Sequence, residues 1–241
     1  MHIPVIQGTI RRRILANYRV DPSVVEKLLP RPFRPKLIQQ YAMVGICLIR
    51  LEHIRPRFFQ PAIGIHSENA AHRIAVEWLD HGILREGVYI ARRDSDSWVN
   101  TLVGGRLFPG EHHHAQFTTI DDHPTVSVHF RSDDHKVQVT VKGHSTPELP
   151  GTSVFPSLQL ASAFFAGGAL GYSVTHDPNL LDGIELKSRM WHVEPLEVEH
   201  IMSSYFEDAT LFPPDAITFD CALLMRNIPH EWHSHHQLRT G

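Results

Sequence analysis

Residues 115–142 read AQFTTIDDHPTVSVHFRSDDHKVQVTVK, and this stretch decides the fold class. Three β-prone runs, 115–120, 125–131 and 136–142, are separated by two clusters of turn-formers, Asp121-Asp122-His123-Pro124 and Ser132-Asp133-Asp134. Connections this short join antiparallel neighbours, because a parallel crossover needs a dozen residues or more. The same strand-type periodicity recurs at 11–20, 42–53, 72–80, 87–93 and 98–107, with further strands expected at 184–193 and 217–225.

Helical signals are few. Asp21-Pro22 supplies a cap and a first-turn proline, and Val24, Val25, Leu28 and Leu29 form an apolar stripe that Pro30 stops. Ser157 caps a second predicted helix, 158 to about 170, weakened near its end by Gly167-Gly168. A short third helix is expected near 198–206. Asp182-Gly183 reads as a turn. With no repeat or low-complexity linker, the chain reads as one α+β domain, 1–241, mostly antiparallel β, with a His-rich, largely solvated tail from about 228 anchored by Trp232.

Composition excludes several function classes. Apolar residues make up 42% and charged residues 20%, the balance of a globular rather than a disordered chain. A net charge of −3 offers no bulk attraction for nucleic acid or an anionic membrane. No window reaches the apolar length of a membrane span, and Met1-His2-Ile3-Pro4 lacks a secretory pattern, so the expected location is cytoplasmic. Cys47 and Cys221 sit in separate apolar runs and read as inert core thiols.

Histidine is the compositional anomaly, with 19 in the chain. Most are scattered singly. The run Glu111-His112-His113-His114 follows the Pro109-Gly110 turn. On a strand, His112 and His114 share one face, and Glu111 and His113 the other. The histidine pair could move protons, or bind zinc or iron if a carboxylate such as Glu68 supplied a third ligand; two ligands at strand spacing do not choose between these, or between either and a plain polar strand.

Three segments carry a family resemblance. These are Arg13-Ile14-Leu15-Ala16-Asn17-Tyr18-Arg19-Val20-Asp21-Pro22 running on to Pro30, the stretch from Tyr89 to Pro109, and Glu194-Pro195-Leu196-Glu197-Val198 through Phe212-Pro213. They resemble acetoacetate decarboxylase. Ser67-Glu68-Asn69 with Arg73, Gly104-Gly105-Arg106-Leu107 and Asp220-Cys221-Ala222-Leu223-Leu224-Met225 are similar to the uncharacterised branch of that superfamily, domain of unknown function 2071. The resemblance implies a conical, mostly antiparallel β-barrel around a pocket, with a few flanking helices, and a homo-oligomer.

Acetoacetate decarboxylase forms a Schiff base through a lysine placed after a tyrosine-proline turn. Here the matching turn, Phe108-Pro109, is followed by Gly110 and Glu111. The five lysines (Lys27, Lys36, Lys136, Lys142 and Lys187) include no adjacent pair. The resemblance therefore implies the fold without the familiar reaction.

Transferred by position, Glu68 is the candidate pocket acid, whose burial would raise its pKa; a solvated carboxylate or a partner of Arg73 is the plainer reading. Arg106 is the candidate for orienting a substrate carboxylate, with Arg73 and Arg11 as further substrate-binding candidates. Arg11 opens a run of three arginines that a strand divides between its faces.

The expected function is binding of a small carboxylate- or carbonyl-bearing molecule without a cofactor. A lyase- or hydratase-type proton transfer by Glu68, Glu111, His112 and His114 would follow. A non-catalytic sensor or carrier, or a structural oligomer subunit, remains open.

Overall fold

The computed structural model describes residues 5–58, 65–97, 110–188 and 190–240. Thirteen strands follow in chain order: β1 Ile6–Val20, β2 Arg34–Pro35, β3 Leu37–Ile38, β4 Tyr41–Pro56, β5 Ile65–Asp80, β6 Ile83–Ser95, β7 His112–Asp122, β8 Thr125–Ser132, β9 Gln138–Ser145, β10 Leu170–Val174, β11 Leu180–Ser188, β12 Glu194–Ser203 and β13 Ile217–Arg239. Helix α1 is Pro22–Glu26, capped by the Asp21 side chain. Helix α2 is Leu158–Ala166, capped by Ser157, and a 3-10 turn, Gly167–Ala169, follows it.

Among the described residues all pairings are antiparallel except β6 with β7 and β6 with β10. Five long strands, in the order β13-β1-β4-β5-β6, form a wall that is closed twice. One closure runs from β6 through β7-β8-β9-β12 back to β13, and the other through β10-β11 back to β13. The antiparallel turns of residues 115–142 thus build one side of the first ring.

Sequence pattern explains the two closures. On β8 and β9 only alternate residues, Val126, Val128 and Phe130, then Val139 and Val141, enter the core, as on a sheet with one face to water. β4 is apolar continuously from Tyr41 to Ile49 because both of its faces are covered there. Val44, Ile46 and Leu48 pack into one core, and Met43, Cys47 and Leu51 into the other. The second core is completed by α2, with Ala161 and Phe165.

Three expectations are corrected. Residues 194–203 form β12, not a helix, because pairing with β9 outweighs the helical spacing of their apolar residues. Asp182-Gly183 lies inside β11. A Cβ on Gly183 would come within 2.8 Å of the Tyr172 ring and 2.9 Å of His235 Cβ, so this glycine allows close packing rather than a turn. The histidine-rich end is not a solvated tail: 217–239 is one strand, paired with β1 and then with β11, and His230 is buried. The predicted strand 98–107 lies outside the described residues. Among the described residues no helix is long and apolar enough to cross a membrane.

Candidate functional site

The seven strands of the second ring surround a mostly apolar cavity of about 110 Å³. Its walls include Arg13 from β1, Cys47 from β4, Arg73 from β5, Arg93 from β6, Gly171 from β10, Leu186 from β11 and Trp232 from β13, and His112 of β7 joins them. Strand register assembles this set. Leu15, Cys47, Ala71 and Arg93 form one row across β1, β4, β5 and β6, and Arg13, Ile49 and Asn69 the next row. His112 pairs directly beside Arg93. Small residues, Ala71, Gly168, Ala169 and Gly171, line the cavity where larger ones would fill it.

Three guanidiniums therefore face one small space, and none makes an ion pair among the described residues. Arg13 Nε donates to Cys47 Sγ at 3.1 Å, and its guanidinium lies 5.7 Å from the Trp191 ring centroid. Arg73 Nη2 donates to Asn17 Oδ1 at 2.5 Å and its guanidinium lies over Phe165 at 5.2 Å. Arg93 Nε donates to Ser173 Oγ at 2.9 Å. Burial lowers the pKa of Arg73 and of Arg93 to about 10, which leaves both charged at neutral pH. Asp94 also borders the cavity, but its carboxylate accepts hydrogen bonds from Arg92 Nε and Nη2 at 2.8–3.1 Å.

Of the residues singled out from sequence, Arg73 and His112 meet in this cavity. Glu68 is on the other side of the wall, because on β5 it alternates with Asn69 and Arg73. There it accepts from Arg12 Nη2 at 2.5 Å and Arg50 Nη1 at 3.3 Å. Burial raises its pKa more than these two cations lower it. Arg12 also lies 3.7 Å from Asp121, which pairs with Arg226 at 2.7 Å.

Arg11 points outward and donates to Asn227 Oδ1. On a regular strand Arg11 would share the face of Arg13; a register irregularity between Ile10 and Arg12 turns Arg11 off it, and Ile10 lines the cavity beside Arg13. His114 hydrogen-bonds Asp133 Oδ2 through Nδ1 at 2.7 Å and is not part of the cavity wall. Glu111 lies 3.7 Å from His113, in keeping with their shared face. Arg106 lies outside the described residues. Among the described residues no three His, Cys, Asp or Glu side chains are grouped to hold a metal.

Sequence reasoning missed Arg13, Arg93, Cys47 and Trp232. Arg13 and Arg93 had a signal: each is an arginine next to another arginine on a predicted strand, so the two must face opposite ways. Cys47 had none, since its run reads as core. Both cysteines are buried, as the core-thiol reading expects, although Cys47 also borders the cavity; burial pushes the Cys221 thiol pKa up. None of the five lysines lines the cavity; Lys36, Lys142 and Lys187 pair with Glu86, Glu199 and Glu185.

Comparison with known proteins agrees with this architecture. The family model described as DUF2071, uncharacterized conserved protein, matches residues 7–220. Among solved structures, acetoacetate decarboxylase from Legionella pneumophila superposes with a TM-score of 0.61 at 10% identity, covering 99% of this chain and 88% of that one. An acetoacetate decarboxylase-like enzyme from Sphingomonas wittichii RW1 gives 0.59 at 13%, covering 100% and 94%. The enduracididine biosynthesis enzyme MppR, complexed with pyruvate, gives 0.60 at 10%, covering 100% and 92%. These likenesses establish an acetoacetate decarboxylase-like fold. No curated protein matches the chain.

Proposed function

The chain belongs to the DUF2071 family, and from that premise we propose that it binds a small carboxylate bearing a carbonyl group and moves a proton on it. One observation carries the reading: three guanidiniums, that of Arg73 buried and those of Arg13 and Arg93 half-buried, line a small apolar cavity with no ion-pair partner of their own among the described residues. Burying an uncompensated cation costs several kcal/mol, roughly, so the ligand that fits is an anion. A carboxylate matches the planar fork of arginine. At about 110 Å³ the cavity suits a molecule of few heavy atoms. The fold neighbour MppR is complexed with pyruvate, a compound of this class.

The chemistry open to such a site is proton transfer next to the carbonyl. Guanidiniums would hold the carboxylate and stabilise charge developing on the carbonyl oxygen. His112, the one imidazole lining the cavity among the described residues, is placed to take or return the proton. No lysine reaches the cavity, so iminium chemistry has no amine there.

The test is calorimetric titration with pyruvate, followed by proton NMR of its methyl group in heavy water. The expected result is one saturable site, with methyl exchange that His112→Ala abolishes. Saturable binding without exchange would make the protein a sensor or carrier. Failure of pyruvate, acetoacetate and oxaloacetate all to bind would end the reading.

A further inference from the structure

We infer that Cys47 is the nucleophile of the cavity, adding its sulfur to the carbonyl carbon of a bound keto acid. Cys47 is one of the lining residues, and Arg13 donates Nε–H to its sulfur at 3.1 Å. The thiolate is the reactive form of cysteine, and a cationic donor beside the sulfur is a common feature of reactive cysteines. Cys221 shows the contrast. It is the other free cysteine, it does not border the cavity, and it lies next in sequence to the carboxylate of Asp220.

A second observation points to a ligand within reach of the sulfur. Arg73 is 6% exposed, lines the same cavity and leaves its Nε without a hydrogen-bond partner among the described residues. Arg93 shares a lateral row with Cys47, separated from it only by Ala71. A carboxylate held by these two guanidiniums brings an adjacent carbonyl carbon toward the thiol. In the addition, a bond forms between Sγ and the carbonyl carbon, and the carbonyl π pair moves to oxygen. The thiol proton ends on that oxygen, delivered directly or through His112. Nothing leaves, and no oxidant or reductant takes part. The sulfur thereby occupies the covalent role for which the cavity has no lysine.

The inference rests on the anion-site reading, and one experiment separates the two. The full-length protein is alkylated with iodoacetate and, in parallel, with neutral iodoacetamide, and the labelled cysteine is located by peptide mass spectrometry. In each case sulfur bonds to the methylene carbon and iodide leaves. Iodoacetate is expected to label Cys47 at least about tenfold faster than iodoacetamide, the scale of one charge-assisted contact. Labelling should saturate with reagent, slow in the presence of pyruvate and spare Cys221. Arg73→Gln should remove the preference for the anionic reagent, whereas Arg13→Gln should slow labelling by both reagents.

If Cys47 resists both reagents while pyruvate binds saturably, the nucleophile assignment falls and the anion site stands. If iodoacetamide labels Cys47 as fast as iodoacetate and pyruvate gives no protection, the anion site falls and the inference with it. Cys47→Ala serves as the labelling control: it should lose all specific labelling.

Discussion

Arg12 and Arg13 are neighbours on one strand, yet they meet opposite electrostatic surroundings. Arg12 enters the first ring, where Glu68 and Asp121 face it. Arg13 enters the second, where it meets a thiol, an indole and a cavity. The same division occurs on β6. Arg92 is held by Asp94 and Asp134, and Arg93 by a single serine hydroxyl. Burying a charge is expensive, so a fold that needs a guanidinium internally supplies the acid with it. Where the acid is missing, the anion has to come from outside. On the proposed function, the first ring is the structural side of the molecule, and the second is the side that would receive a ligand.

The strongest way to break this comparison is to remove one charge from each side. Glu68→Gln leaves Arg12, whose side chain is fully buried, without its main partner. The expected loss is about 3–5 kcal/mol of stability. For a chain of this length that lowers the melting temperature by roughly 6–20 °C. Arg73→Met should do the reverse. Its melting temperature should stay level or rise, because an unpaired buried cation is replaced by an apolar side chain. Pyruvate affinity should fall by roughly tenfold to a hundredfold, the value of one hydrogen bond to a charged group. Equal destabilisation by the two substitutions, in thermal melts read by circular dichroism, would erase the distinction between the rings.

Acid sharpens the comparison further. His72 belongs to the first ring, packed 4.4 Å from the Tyr205 ring with neither ring nitrogen hydrogen-bonded among the described residues, and burial lowers its pKa to about 3. His230 is lowered to about 4, also chiefly by burial. Each folded value lies below the ordinary one, so below pH 6.5 the unfolded chain binds protons that the folded chain refuses. Stability then falls as pH drops from 6.5 toward 4, by at most about 1.4 kcal/mol per pH unit for each histidine. Glu68, Asp94 and Asp96 act with the opposite sign, because burial raises their folded pKa values and folding favours their protonated forms. Urea unfolding at pH 7.0 and 5.5 isolates the histidine contribution when it is repeated on His72→Phe, which should lose less stability between the two. An identical loss in the variant would show that His72 takes up a proton without cost.

How much of this could be read from sequence depends on what each residue answers to. The strands of 115–142 were legible because turn chemistry is local. The mostly antiparallel β class followed from them, and the family resemblance carried the ring-like closure of the sheet. Placement within the rings was less legible, since it depends on register. One irregularity between Ile10 and Arg12 took Arg11 off the face it would otherwise share with Arg13, and the alternation of β5 sent Glu68 away from Arg73. Cys47 could not be distinguished from core because both neighbouring faces of β4 are buried. The β12 segment misled for the opposite reason: its local spacing was helical, and only its pairing with β9, distant in sequence, made it a strand.

The smallest expected effect tests the finest part of the comparison, the two histidines that alternation places together. His112 and His114 share a strand face, but His112 stands beside Arg93 at the cavity, whereas His114 is tied to the partly exposed Asp133 on the β8–β9 connection. His114→Ala should therefore cost stability no more than about 1 kcal/mol, as for an ion pair near the surface. It should leave pyruvate affinity within about twofold. A tenfold loss of affinity would extend the ligand site past Ser95 toward Asp133, and the boundary between the structural and ligand-binding faces would then run between His114 and Asp133 instead of between His112 and His114.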